Sequence, residues 1–111
     1  MTPPTKMLMI FVDESDQWDD LPLYEAILRR LVKFEIAGAT VQIGVMGFGS
    51  HHRIHRKRLF GVSDDRPVTI MVVENEAKLR QAIPEIRPLV KEGLILLTDV
   101  EVISLGPVLV K

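Results

Sequence analysis

Apolar residues along this chain recur with two periods, and the order in which those periods alternate predicts the fold. Lys6 to Val12 is a near-continuous apolar run, the pattern of a central strand covered on both faces. Leu23, Ile27, Leu31 and Phe34 then recur at helical spacing, with Tyr24, Leu28 and Val32 widening the stripe. Arg29, Arg30, Lys33 and Glu35 take the solvent side. Pro22 marks the first turn of this helix, and Gly38 stands where a left-handed C-terminal cap is expected. Val41, Ile43 and Val45 alternate with Thr40, Gln42 and Gly44, the period of a half-buried strand. A third strand runs from Val68 to Val73. Asn75 caps a second helix that buries Leu79, Ala82, Ile83, Ile86 and Leu89. Pro84 predicts a kink or a restart inside it. Gly93 ends the helix, Leu94 to Leu97 form a fourth strand, and Val100, Val102 and Ile103 make a further short extended piece.

Strand, helix, strand, strand, helix, strand is the order of a ferredoxin-like βαββαβ sandwich of the α+β class, one antiparallel sheet with both helices on one face. The other face has no cover in a monomer, yet the first, third and fourth strands are apolar on both sides. A bare apolar face of that size predicts self-association with closed cyclic symmetry.

Bulk composition narrows the picture. A length of 111 residues fits one domain, residues 1–111, and the 5% aromatic content makes its core aliphatic. The longest uncharged apolar run, Met7 to Val12, is too short to cross a membrane. Lys6 precedes that run and Asp13-Glu14 follow it, which is not an export signal and favours the cytoplasm. With no cysteine, disulfides and thiolate metal sites are excluded. A pI near 6.3 argues against a nucleic-acid binder.

The candidate chemistry concentrates in the connection between the second and third strands. Residues 47–67 form a long loop, well above the usual connection length, and such loops tend to be functional. All three histidines, His51, His52 and His55, lie in it. From His51 to Pro67 it carries Arg53, Arg56, Lys57, Arg58 and Arg66 against Asp64 and Asp65, a net +3. The whole chain is −1, so the remainder is −4 and anions are drawn to the loop. Residues 50–66 are also expected to be the most mobile part of the unliganded protein. Gly47 and Gly49 serve either as a tight strand exit, where glycine supplies a positive φ, or as an anion nest of backbone N–H groups. The three histidines are good ligands for Zn²⁺, Cu²⁺ or Ni²⁺, but the neighbouring cations disfavour a bound dication. Asp13, Glu14 and Asp16 lack the spacing of a calcium loop and read as a solvated turn, and Trp18 as a packing anchor. No Ser/His/Asp or Cys/His nucleophile set exists, and nothing compels an enzyme.

With its residues in this order the chain resembles an uncharacterised bacterial and archaeal family related to the PII (GlnB-like) nitrogen-signalling proteins. The segments that carry the resemblance are Pro22-Leu23-Tyr24-Glu25-Ala26, Ala37-Gly38-Ala39-Thr40-Val41, Gly44-Val45-Met46-Gly47-Phe48-Gly49 and Arg53-Ile54-His55. Pro67-Val68-Thr69-Ile70, Glu92-Gly93-Leu94 and Glu101-Val102-Ile103 complete it. The resemblance implies a homotrimer whose sheets line a central core. It also implies that the 47–67 loop contacts a target protein, a membrane transporter or an enzyme. An adenine nucleotide or another anionic effector would sit in the cleft between subunits, ordering the loop when bound. Gly47, Phe48, Gly49 and Gly93 carry over as ligand-binding positions, and Arg53, His55 and Arg56 join them from the basic run. Val102-Ile103-Ser104-Leu105 has no arginine where PII proteins carry theirs, which points to a changed ligand. The expectation is therefore a non-enzymatic regulatory trimer. Its alternatives are a metal-binding or metal-tolerance trimer using His51, His52 and His55, and a small enzyme acting on a phosphorylated metabolite.

Overall fold

The computed structural model describes residues 4–48, 55–56 and 66–104. The described strands are β1 (Thr5–Asp13), β2 (Gln17–Trp18), β3 (Leu21–Pro22), β4 (Thr40–Ile43), β5 (Met46–Gly47), β6 (His55–Arg56), β7 (Pro67–Asn75) and β8 (Leu94–Asp99), of which β1, β4, β7 and β8 form one antiparallel sheet. The order across it is β4-β7-β1-β8, which puts the two longest strands in the centre, as the ferredoxin-like pattern requires. Two helices, α1 (Leu23–Lys33) and α2 (Glu76–Ile86), pack on one face. Between them and the sheet lies an aliphatic core of Leu8, Ile10 and Val12 from β1 and Val68, Ile70 and Val72 from β7. Leu23, Ala26, Ile27 and Leu31 of α1 and Leu79, Ala82 and Ile86 of α2 complete it.

Because side chains alternate along a strand, the residues between those core positions point to the opposite face. Register aligns Met9 with Met71 on one side and Leu96 on the other, and Met7 with Val73. Phe11 stands opposite Leu94. Met7, Met9, Phe11, Met71, Val73, Leu94 and Leu96 thus form one apolar surface with no element over it among the described residues.

Several local expectations are corrected. Glu35, not Gly38, takes the left-handed conformation after α1, at φ 59°. Its N–H donates to the Val32 carbonyl at 2.9 Å and that of Ile36 to Leu31 at 3.3 Å, a Schellman closure reached three residues early. Val32 is 73% exposed and does not widen the buried stripe, although Tyr24 and Leu28 do pack on the core. Pro22 sits at the N-cap, one residue before the helix. Pro84 lies inside α2 without ending it, and the restart comes at a 3₁₀ turn, Arg87–Leu89, that contains Pro88. Val45 is 85% exposed because the strand ends at Ile43. Residues 100–104 form no strand. The Asn75 cap holds: its Oδ1 accepts from the Ala77 N–H at 2.8 Å.

Candidate functional site

The two ends of the long loop are fastened to each other. Past Ile43, the Gly44 N–H donates to the Pro67 carbonyl at 2.7 Å, so the entering and leaving chains stay paired. A Cβ on Gly44 would stand 2.9 Å from Pro67 Cγ, and one on Gly47 3.0 Å from the same atom. Both glycines are there because the proline ring lies against the backbone. This corrects the strand-exit expectation for Gly47, since Gly93 is the one described glycine with a positive φ.

Beyond this contact the chain forms a two-stranded ribbon, β5 (Met46–Gly47) against β6 (His55–Arg56). Gly47 is opposite His55 and Met46 opposite Arg56, so three of the expected ligand positions share one ribbon. Phe48 follows, largely exposed. Gly49, Arg53, His51 and His52 lie outside the described residues, as does most of the segment expected to be mobile. Gly93 lies at the same end of the sheet as Pro67: Leu94 is opposite Phe11 and Pro67 opposite Asp13. A Cβ on Gly93 would come 2.4 Å from the Phe11 carbonyl oxygen, which explains the glycine by close approach to β1.

A pair that sequence reasoning missed pins the loop's exit. The Arg66 guanidinium donates from Nε and Nη2 to the two Glu14 carboxylate oxygens, both at 2.7 Å. The Glu14 N–H returns a bond to the Arg66 carbonyl at 2.9 Å. This fork geometry is the strong form of an ion pair. Its hydrogen bonds hold the Glu14 carboxyl below the usual carboxylate range and raise Arg66 above its own. Glu14 and Arg66 are 52 residues apart, so nothing local in the sequence marks them as partners.

The turn that carries Glu14 is also ordered. Asp16 Oδ2 accepts from the Asp13 N–H at 2.9 Å, and the Asp16 carbonyl accepts from the Leu23 N–H at 2.7 Å. This is a built turn leading into a hairpin, β2 (Gln17–Trp18) and β3 (Leu21–Pro22). Asp19 and Asp20 form its two-residue loop with φ of 50° and 65°, the left-handed pair of a type I′ turn. The hairpin holds Trp18 beside a cavity of about 320 Å³, with Leu23 and Leu89 on its apolar side. Asp16, Gln17, Lys91 and Glu92 form the polar side. Lys91 Nζ stands 5.9 Å from the Trp18 ring centroid. Trp18 does pack on the core as an anchor, but part of it faces this hollow.

Among the described residues no three histidine, aspartate or glutamate side chains gather in a way that would hold a metal ion. No described helix is long and apolar enough to cross a membrane.

Comparison with known proteins agrees with this architecture. The family model DUF190, described as "Uncharacterized ACR", matches residues 5–102. A UPF0166 protein of Aquifex aeolicus is 34% identical over 100 residues, covering 90% of this chain and 94% of the relative. One from Methanocaldococcus jannaschii is 32% identical over 98 residues, covering 87% and 90%. Among solved structures, CPII is a nitrogen regulatory PII-like protein from Thiomonas intermedia K12, bound to ADP, AMP and bicarbonate. It superposes with a TM-score of 0.67 at 20% identity, over 88% of this chain and 87% of that one. B. subtilis GlnK gives a TM-score of 0.53 at 13% identity, over 86% and 84%. At these identities the likeness is one of fold, and the fold is PII-like.

Proposed function

The chain belongs to the DUF190 family and has a PII-like fold, and from that premise we propose that it is a non-enzymatic regulatory protein that binds a small anionic effector. In this reading three copies assemble through the apolar sheet face. The effector sits in the cleft between subunits at the loop base, near Gly47, Phe48, Gly49, Arg53, His55, Arg56 and Gly93. Its binding changes what the 47–67 loop presents to a partner protein.

The observation that carries the proposal is the fastened loop base. Pro67 against Gly44 and Gly47, with Arg66 forked onto Glu14, holds both ends of a long cationic loop at the end of the sheet where Gly93 meets β1. A loop so anchored can alter its outer segment while its base stays fixed. An adenine nucleotide is the first candidate effector and bicarbonate the second, because the PII-like protein CPII is described with ADP, AMP and bicarbonate.

Calorimetry with ADP, AMP and bicarbonate tests the proposal directly. Binding should weaken with salt, because the contacts are ionic. Arg53→Ala and Arg56→Ala should each cost about 1.5–3 kcal/mol of affinity, the range for hydrogen bonds to charged groups. Absence of heat with every anion, together with stoichiometric Zn²⁺ or Cu²⁺ uptake abolished by His51→Ala and His55→Ala, would replace this reading with a metal-binding one.

A further inference from the structure

Methionine is distributed unevenly between the two faces of the sheet. The buried core between sheet and helices is built of leucine, isoleucine, valine and alanine and contains no methionine. The opposite face carries Met7, Met9 and Met71, three of the five methionines in the chain. Register groups them. Met9 is directly opposite Met71, and Met7 stands two residues along β1 from Met9. Met7 is also diagonal to Met71, because its own partner is Val73. Directly opposite residues have Cβ atoms about 5 Å apart, and diagonal residues or those two apart on a strand about 7 Å. All three methionines are half-buried. A methionine side chain is unbranched with three rotatable bonds, so thioethers rooted at these spacings can turn toward one point.

The surroundings select the chemistry. The other residues that register places beside the trio are Val73, Leu96, Thr40 and Thr98. None is charged and none is an imidazole. Packing alone would be served by leucine and isoleucine, which fill the other face. What thioether sulfur adds is a soft, neutral, polarisable donor. Zn²⁺ is held by thiolate, imidazole or carboxylate, and Ca²⁺ or Mg²⁺ by oxygen, so this trio suits none of them. Thioethers favour monovalent copper, and a single charge is the least costly to hold in apolar surroundings. We infer that Met7, Met9 and Met71 form a three-thioether site for Cu⁺. The three donors belong to one chain, and assembly through the same face would shield the ion from water and from harder competing ligands. The site is separate from the loop histidines and does not rest on the effector reading.

Ag⁺, a redox-stable ion of the same charge and similar softness, is the probe. The full chain, carrying methyl-labelled methionine, is titrated with Ag⁺ and followed by methyl NMR. The signals of Met7, Met9 and Met71 should shift, and that of Met46, at the loop base, should stay in place. Thioethers do not protonate, so affinity should be the same at about pH 7 and about pH 5, on either side of the imidazole pKa of about 6.5. Met9→Leu and Met71→Leu conserve volume and apolarity, so light scattering should be unchanged in both. Their Ag⁺ affinity should fall at least about tenfold, the loss that removing even a partner one layer out from a metal brings. Competition against a Cu⁺ chelator under anaerobic, reducing conditions should rank the variants in the same order. Unshifted methionine methyls in the wild type overturn the site, and so do leucine variants that bind Ag⁺ as tightly as the wild type. Binding lost at the lower pH and in His51→Ala would assign the ion to the histidines and overturn it as well.

Discussion

Replacing Met9 by glutamate is the sharpest test of the assembly on which the cleft depends. Met9 is in the middle of the uncovered sheet face, flanked by Met71 and Leu96. On that face Val73, Leu94 and Leu96 keep 40%, 52% and 40% of their surface exposed, and Met7, Met9, Phe11 and Met71 are partly buried. Covering a large apolar side chain completely is worth about 1.5–3 kcal/mol, so covering what remains of Val73, Leu94 and Leu96 gains about 1 kcal/mol each and of the other four about 0.5 kcal/mol each. Together the seven supply about 5 kcal/mol per protomer, enough to offset a substantial part of the cost of association. A glutamate at position 9 removes one of these contributions and places a carboxylate where it must be desolvated, at several kcal/mol per ion. A penalty of about 3 kcal/mol per protomer raises the concentration needed for assembly at least about a hundredfold. In a separated monomer the same carboxylate faces water, so helix content by circular dichroism should be unchanged. Light scattering at micromolar concentration should give three times the 12.6 kDa chain mass for the wild type and a single chain mass for Met9→Glu. A wild-type monomer, or a Met9→Glu variant that still assembles, would refute the reasoning.

Three further outcomes follow from the geometry. Gly93→Ala should destabilise the fold by about 2–3 kcal/mol in urea unfolding, because its Cβ would lie 2.4 Å from the Phe11 carbonyl oxygen, and a neutral result would show that β1 and the turn separate freely. Glu74 is 4% exposed and accepts from the Ala37 N–H at 2.9 Å and the Asn75 N–H at 3.0 Å. Glu74→Ala should therefore cost about 3 kcal/mol in the same assay, with an unchanged midpoint counting against the pairing. Glu14 has its folded pKa held below the ordinary value by Arg66, so the clamp's contribution is present above the unfolded pKa and lost as pH falls through the depressed one. Carbon-13 titration of the Glu14 carboxyl should move back to the usual range in Arg66→Gln, and the Glu14 N–H should exchange faster. An unaltered titration would mean the fork does not persist in solution.

The sheet was legible in the sequence because an apolar run with no polar alternation marks a strand whose two faces are both to be covered. Lys6 to Val12 is apolar on both faces and so asks for a partner, while burial of Leu8, Ile10 and Val12 is what assigns Met7, Met9 and Phe11 to the uncovered side. Alternation failed at Val45 because the chain leaves the sheet after Ile43, guided by a bond from Gly44 to Pro67 that no period encodes. The end of α1 was misplaced because a Schellman closure needs a left-handed residue, and Glu35 supplies it at φ 59° in place of a glycine. The β2–β3 hairpin escaped notice for the same reason: Asp19 and Asp20 adopt the turn conformation that Asn-Gly would have announced.

At the candidate site the difference is between composition and pairing. The loop's cations, histidines and glycines are local and visible, so residues 46–67 stood out at once. What fastens that loop is non-local: Pro67 closes on Gly44 and Gly47, and Arg66 reaches Glu14 across 52 residues. Gly47 shows why the distinction matters for function. Its small size looked like provision for an anion, yet Pro67 Cγ would stand 3.0 Å from any Cβ there, so packing alone already demands glycine. The anion-binding case must therefore rest on the charges of Arg53 and Arg56 and not on the glycine. Substituting those charges, and not the glycines, separates a ligand site from a well-made loop base.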